Sequence, residues 1–190
     1  MRKLILQVQL SVDGYVAGPN GEMDWMTWNW DDQIKQYVTD LTDSIDTILL
    51  GRKMADGFIT HWTNAVKNPE DPSQPFAAKM VNAHKVIFTK TLTHSEWENT
   101  RLAKGNITEE VNKLKNGDGK DLIVYGGAGF VSSLIKEGLI DELHLFVNPC
   151  AIGNGLPIFK SLENKQALTL VKASSFECGI VAMHYKAKKD

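Results

Sequence analysis

Two stretches of this chain run an apolar strand straight into glycine and then into a helix start. They are Leu49-Leu50-Gly51-Arg52-Lys53-Met54 and Val124-Tyr125-Gly126-Gly127-Ala128-Gly129. The strands that lead into them, Thr47–Leu50 and Leu122–Tyr125, are nearly continuous apolar runs. Such a strand has no face to give to water, so it must be covered on both sides. Helices that alternate with the strands supply that cover, and the result is an α/β fold with a largely parallel sheet.

The remaining segments agree with this reading. Leu4, Leu6, Val8 and Leu10 alternate with Ile5, Gln7 and Gln9, which gives a first strand of period two. A turn-rich loop follows, with Asp13-Gly14 and then Gly18-Pro19-Asn20-Gly21. Helix signals begin near Asn29, and Ile34, Tyr37, Val38, Leu41 and Ile45 recur at helical spacing. A second helix is expected from Arg52. The segment Asn64–Pro75 holds Pro69, Pro72 and Pro75 and reads as an exposed excursion, with Pro75 opening a short helix through Val81. Lys85–Thr89 reads as a strand, and Asn106 with Glu109 as a capped helix start. A helix over Gly129–Glu137 should stop at Gly138. Leu143–Val147 is a further strand, and Ala167–Lys172 with Phe176–Lys186 forms a terminal hairpin. The expected order is βαβα(α)βαβαβ followed by the hairpin: a mostly parallel central sheet, helices on both faces, and a C-terminal antiparallel pair. No linker divides the chain, so residues 1–190 read as one domain.

Composition narrows the function classes. With 21 basic and 23 acidic residues the net charge is −2, which offers no footprint for nucleic acid or an anionic membrane. Two cysteines, Cys150 and Cys178, are too few for a disulfide scaffold and have no zinc spacing. The start Met1-Arg2-Lys3-Leu4-Ile5-Leu6 hints at a signal peptide, but Gln7, Gln9 and Asp13 interrupt the run. No segment is long enough to span a bilayer. A cytoplasmic protein is expected.

The two glycine turns favour phosphate, because glycine admits a ligand close to the backbone and a helix N-terminus offers free N–H groups. In an open α/β sheet both turns would lie at the carboxyl ends of strands, where ligands bind. Either turn alone could be no more than a tight strand-to-helix connection; the pair on one sheet favours a site. Gly127-Ala128-Gly129-Phe130-Val131-Ser132 matches a dinucleotide fingerprint only in part, and no GxxxxGK[ST] sequence is present. Arg52, Lys53 and Lys90 then sharpen the ligand. Three cations at neighbouring strand ends suit the extra phosphate of NADP, where an NAD site would carry an acid.

These blocks carry a family resemblance. Ser11-Val12-Asp13-Gly14-Tyr15-Val16-Ala17 resembles the Ser-Leu-Asp-Gly segment of the reductase half of the bacterial bifunctional riboflavin-synthesis deaminase-reductases. Ile48-Leu49-Leu50-Gly51-Arg52-Lys53 is similar to their Gly-Arg-Lys turn and to the Gly-Arg turn of dihydrofolate reductase. Leu122–Gly129 resembles the glycine-pair segment of both. Asp141-Glu142-Leu143-His144-Leu145 through Gly153-Asn154-Gly155-Leu156-Pro157-Ile158-Phe159 resembles the riboflavin-pathway group more closely. The match runs from Lys3 to Phe159 with its blocks in the family's order.

The resemblance implies a dihydrofolate-reductase-like fold, NADPH as cofactor and a homodimer. By position, Gly51, Arg52 and Lys53 would hold the cofactor phosphates, and Thr89 and Lys90 would lie at its adenosine end. Tyr125, Gly126, Gly127, Ala128 and Gly129 would receive the pyrophosphate, while Val16 and Ala17 would border the nicotinamide. Asp13 would face the substrate or assist proton delivery, with Ser11 and Trp25 beside the substrate. An Asp-Gly pair is also an ordinary turn, and a carboxylate donates a proton only if its pKa is raised. Trp28 and Trp30 suit a loop anchor as well as a pocket wall. Asp31 and Asp32 fall in the first turn of the first helix, where acids complement its dipole, while the inward positions are Ile34, Tyr37, Val38 and Leu41. That pattern speaks against folate reduction. The histidines show no metal spacing along the chain, and His144 and His184 read as structural. The expected activity is hydride transfer from NADPH to a small heterocyclic or carbonyl-like substrate. Dihydrofolate reductase, a non-catalytic NADP(H)-binding module and a purely structural dimer are the alternatives.

Overall fold

The computed structural model describes residues 1–71, 73–95 and 97–188. The elements are β1 (Leu4–Leu10), α1 (Asp32–Asp43), β2 (Ile45–Gly51), α2 (Arg52–Lys67), α3 (Gln74–Asn82) and β3 (His84–Phe88). There follow β4 (Thr100–Ala103), α4 (Ile107–Lys115), β5 (Asp121–Val124), α5 (Ala128–Lys136), β6 (Glu142–Val147), β7 (Leu168–Ser175) and β8 (Val181–Ala187). All eight strands join one sheet in the order β4-β3-β2-β5-β1-β6-β8-β7. From β4 to β6 every neighbouring pair is parallel. β8 runs antiparallel to β6, and β7 antiparallel to β8.

Helices cover both faces, as the apolar strands require. Leu4, Leu6, Leu49, Leu122 and Val124 pack against Val111 of α4 and Val131 and Leu134 of α5. The alternate residues Ile5, Ile48, Leu50 and Ile123 point the other way, onto Ala55 and Ile59 of α2 and Met80 of α3. Ile34 and Val38 of α1 meet Phe146 and Ala182 on the β6–β8 side of that same face. Each fully buried aliphatic side chain stabilises the fold by roughly 1.5–3 kcal/mol of transfer free energy.

Local signals set several element ends where the sequence placed them. Asp31 caps α1 by accepting from Ile34 N at 3.0 Å. Asn106 caps α4 by accepting from Thr108 N at 2.9 Å and Glu109 N at 3.3 Å. Pro75 lies in the first turn of α3. Gly138, at φ +63°, ends α5 in a conformation that suits glycine.

Three expectations need correction. The excursion expected over Asn64–Pro75 is helix at both ends: α2 continues to Lys67, and α3 starts at Gln74. Ala55, Ile59, Trp62 and Ala65 keep a helical apolar stripe going beyond the point where the polar residues suggested a stop. Trp62 also packs on Phe76 of α3 with ring centroids 5.1 Å apart, which holds the two helices together. Pro72 itself lies outside the described residues. The sequence reading had no strand at Thr100–Ala103, but β4 pairs there with β3 and forms one sheet edge. Four residues with Arg101 among them give no period to detect, and pairing with β3 supplies the order. Finally, β7 extends to Ser175 and β8 begins only at Val181, because Phe176 N bonds Ile180 O at 2.9 Å across a turn.

The close approach of α2 and α5 depends on Gly51. A Cβ placed there would stand 2.8 Å from Phe130 Cβ, and the Phe130 ring is held in turn by Phe88 at a centroid distance of 4.9 Å. Gly51→Ala is therefore expected to lower stability by about 1–3 kcal/mol, as overpacking does. Urea unfolding with an unchanged midpoint would contradict this packing.

Candidate functional site

Because β1 to β6 run parallel, their carboxyl ends share one rim. That rim carries Ser11 after β1, Gly51 at the end of β2, Thr89-Lys90 after β3, Tyr125-Gly126-Gly127 after β5 and Asn148 after β6. β5 lies between β2 and β1, so the two glycine turns are neighbours. They also touch. Met54, in the first turn of α2, has its sulfur 3.4 Å from where a Cβ on Gly126 would be, and its Cβ is 3.9 Å from the same point on Gly127. Among the described residues neither Gly51 nor Gly127 gives its helix a side-chain cap. The first N–H groups of α2 and α5 are thus left to an outside acceptor, at the positive ends of two helices. Gly127 has φ +80°, a conformation few other residues adopt at low cost.

The cations gather beside these turns. Thr89 is buried, and its Oγ1 accepts from Thr91 N at 3.1 Å and Leu92 N at 3.0 Å, which pins the turn carrying Lys90. Arg52 Nε donates to Thr91 Oγ1 at 3.2 Å, so α2's first residue reaches that turn. Arg52, Lys53 and Lys90 are all exposed. Tyr125 stacks on Phe58 with centroids 5.8 Å apart. Its hydroxyl is buried with no hydrogen-bond partner among the described residues, and burial pushes its pKa up. Ala128 and Gly129 form the first turn of α5.

On the β1–β6 side, two loops close on each other. Val12 N donates to Cys150 O at 2.8 Å, Val16 N to Leu156 O at 3.0 Å, and Leu156 N to Ala17 O at 2.9 Å. Gly155 is required here, since a Cβ would come within 2.3 Å of Ala17 O. Asp13 joins the same seam: its carboxylate accepts from Ile152 N at 3.2 Å and Gly153 N at 2.7 Å. The Ser11 hydroxyl foremost, and then these amides, hold the Asp13 carboxyl below the usual aspartate range. Asp13 thus clasps the loop after β6 through its carboxylate. Ser11 is 1% exposed, and its Oγ accepts from Tyr15 N at 3.0 Å, so it shapes the turn from within. Trp25 is half-buried, and its indole donates to Glu22 O at 3.2 Å. Trp30 packs on the α1 core, while Trp28 stacks on it from solvent at 6.0 Å.

Sequence reasoning missed Asn148, which is fully buried at the end of β6. Its Nδ2 donates to Gln9 Oε1 at 2.8 Å, and its Oδ1 accepts from Thr27 N at 2.9 Å. It ties the tryptophan loop to the rim. A polar residue directly after an apolar strand was the only signal available. The role of Thr91 as Arg52's partner had no signal at all. A depression of about 440 Å³, lined by Thr47, His84, Lys85 and Arg101 among others, lies at the amino-terminal ends of β2, β3 and β4 and so belongs to the opposite rim.

Residues 2–182 match the family model described as the RibD C-terminal domain. The chain belongs to this family. It is 36% identical to the uncharacterized protein YyaP of Bacillus subtilis (strain 168) over 187 residues, covering 97% of this chain and 94% of YyaP. A putative riboflavin biosynthesis protein from Shewanella sp. PV-4 has the same fold, with TM-score 0.74, 22% identity, and 98% and 99% of the two chains covered. So does the diaminohydroxyphosphoribosylaminopyrimidine deaminase/5-amino-6-(5-phosphoribosylamino)uracil reductase of Thermotoga maritima, at TM-score 0.70 and 16% identity. That alignment covers 98% of this chain and 57% of the Thermotoga protein. The riboflavin-type reductase fold expected from the ordered motifs is the fold this chain has.

The Asp13 seam yields a pH prediction. A carboxyl held below its unfolded pKa stabilises the seam above that pKa, and the contribution is lost as pH falls through the folded value. The amides of Ile152 and Gly153 should therefore lose hydrogen-exchange protection at acid pH, below the ordinary aspartate pKa of about 3.9. Asp13→Asn should show the same loss at pH 7. Equal protection in both proteins at pH 7 would show that the carboxylate does not hold this loop.

Proposed function

We propose that this RibD-type domain is a reductase that uses NADPH to reduce a small heterocyclic substrate, pyrimidine- or pteridine-like, or a carbonyl-like one. The observation that carries the reading is the meeting of two uncapped helix N-termini, at Gly51 and Gly127, beside a turn that Arg52 reaches and Lys90 occupies. Backbone N–H groups at both glycine turns suit a pyrophosphate, and the exposed guanidinium and ammonium groups suit one further phosphate. The residues present thus fit the cofactor that the family resemblance implies.

In this reading Gly51, Arg52, Lys53 and Gly126 to Gly129 hold the phosphates, with Thr89 and Lys90 at the adenosine end. NADPH, when bound, supplies the hydride. The chain supplies position. Val16 and Ala17, fixed by their bonds to Leu156, form a rigid border for the reacting ring. Asp13 holds the facing loop and presents negative charge to substrate hydroxyls. Trp25 offers a flat wall on the loop that Asn148 secures.

Folate is the less favoured substrate. Asp31 spends its carboxylate on Ile34 N and Cys178 N, and Asp32 is fully exposed beside Lys35. No acid of α1's first turn faces inward to grip a pterin. The pyrimidine class is the one named for the Thermotoga relative, and it is proposed here on the shared fold and family. The cytoplasm is the compartment this reading implies, and among the described residues no helix is long and apolar enough to cross a membrane. A homodimer is proposed as well: the edge strand β7 leaves Leu170 and Val171 about half exposed, a surface that a second copy would cover. Sedimentation should then give twice the chain mass.

NADPH should raise the melting temperature more than NADH at equal concentration, because the tighter ligand stabilises the folded state more at the same dose. Arg52→Ala should reduce the NADPH shift and leave the NADH shift nearly intact. Equal shifts for both cofactors in the unaltered protein would remove the assignment of the cations. Binding without turnover on pteridines, pyrimidines and quinones would favour the non-catalytic module.

A further inference from the structure

One cluster of chemistry-bearing side chains plays no part in the rim. Glu142 and His144 are two apart on β6 and so share a sheet face. His184 of β8 pairs directly with His144 across the antiparallel ladder, and the two rings stack at 4.1 Å. Glu142 Oε2 lies 3.0 Å from His184 Nε2 and 3.9 Å from His144 Nε2. All three donor atoms fall within 4.8 Å of one another. Glu142 is 8% exposed and His144 5%.

His144 is the telling member. Its Nε2 is buried and has no hydrogen-bond partner among the described residues, although it is aimed toward the Glu142 carboxylate. Its other ring nitrogen, Nδ1, stands 2.7 Å from the Tyr37 hydroxyl. If Nδ1 donates to that oxygen, Nε2 keeps its lone pair and the ring orientation is fixed. Metal-ligating histidines are held in this way, one nitrogen on the ion and the other on a supporting group. A buried nitrogen with no partner is otherwise a standing cost to the fold.

We propose that Glu142, His144 and His184 form a binding site for a divalent transition cation, with Tyr37 as the supporting group. Two imidazoles and one carboxylate select zinc, cobalt, nickel or copper over magnesium or calcium. With metal–ligand bonds near 2.0–2.1 Å, tetrahedral donors stand roughly 3.4 Å apart. The separations of 3.0 and 3.9 Å bracket that value. Lys3 Nζ holds the other oxygen, Glu142 Oε1, at 3.0 Å, which orients the carboxylate and leaves Oε2 for the ion. Three protein ligands leave a fourth position to water. The ion would join β6 to β8 and so fasten the terminal hairpin to the parallel sheet. His144 lies four residues before Asn148, roughly 13 Å along the strand from the rim, so the site is separate from cofactor binding.

The test uses tag-free full-length protein, stripped with chelator and titrated with Co²⁺. The expected result is one Co²⁺ per chain, visible absorption bands of tetrahedral strength, and a higher melting temperature, with no response to Mg²⁺. His184→Gln should abolish the bands. Tyr37→Phe keeps the ring packed against Phe146 and Phe176, so it should fold normally, yet its Co²⁺ affinity should fall by roughly 10–100-fold. The proposal is overturned if the unaltered protein shows no bands and no thermal shift, or if His184→Gln and Tyr37→Phe bind Co²⁺ as tightly as it does.

Discussion

The entry of β5 between β2 and β1 is the constraint on which the candidate site depends. Leu49 pairs with Val124 on one side of β5, and Leu6 pairs with the same residue on the other. This register puts the turn after β5 level with the turn after β2. Because the strands are parallel, both turns release a helix at the same edge, and both helices present their positive ends there. The backbones can come this close because Gly51 lacks a side chain and leaves room for Phe130, while Gly127 supplies the positive φ that the second turn needs. The meeting of two helix N-termini without side-chain caps is then a consequence of strand order and of two glycines.

The other half of the rim is built differently. There the loops after β1 and β6 bond to each other. Asp13 shows how one residue type can serve two ends. Its carboxylate satisfies two backbone amides, and the Ser11 hydroxyl first, then those bonds, hold its pKa down. Asn148 does comparable work from inside, with each end of its amide tied to a different segment. A substrate that docks on this side would meet preformed loops, and the ordering cost would be met by folding instead of by binding.

β6 connects these features to the cation cluster proposed at its amino-terminal end. Its carboxyl end delivers Asn148 to the rim, while Glu142 and His144 meet β8 near its start. One short strand thus carries a loop tie at one end and a buried polar triad at the other. Both place buried polar groups on one strand, and each has a specific partner except for His144 Nε2.

The sequence alone determined the parallel α/β sheet, the positions of the two glycine turns, the cap at Asn106 and the inward face of α1. Each of these is written in a local pattern: apolar runs, glycine after a strand, an Asn with Glu three residues on, and a 3.6-residue period. The ordered motifs also determined the family. Only the tertiary structure decided what distant segments do to one another. It fixed β4 as an edge strand, Thr91 as the partner of Arg52, and Ile152 and Gly153 as the partners of Asp13. It also brought Glu142, His144 and His184 together from positions 42 residues apart at the extremes. The physical reason is that hydrogen-bond pairing between strands, and the burial that shifts a carboxyl or an imidazole, depend on neighbours in space that no window along the chain contains.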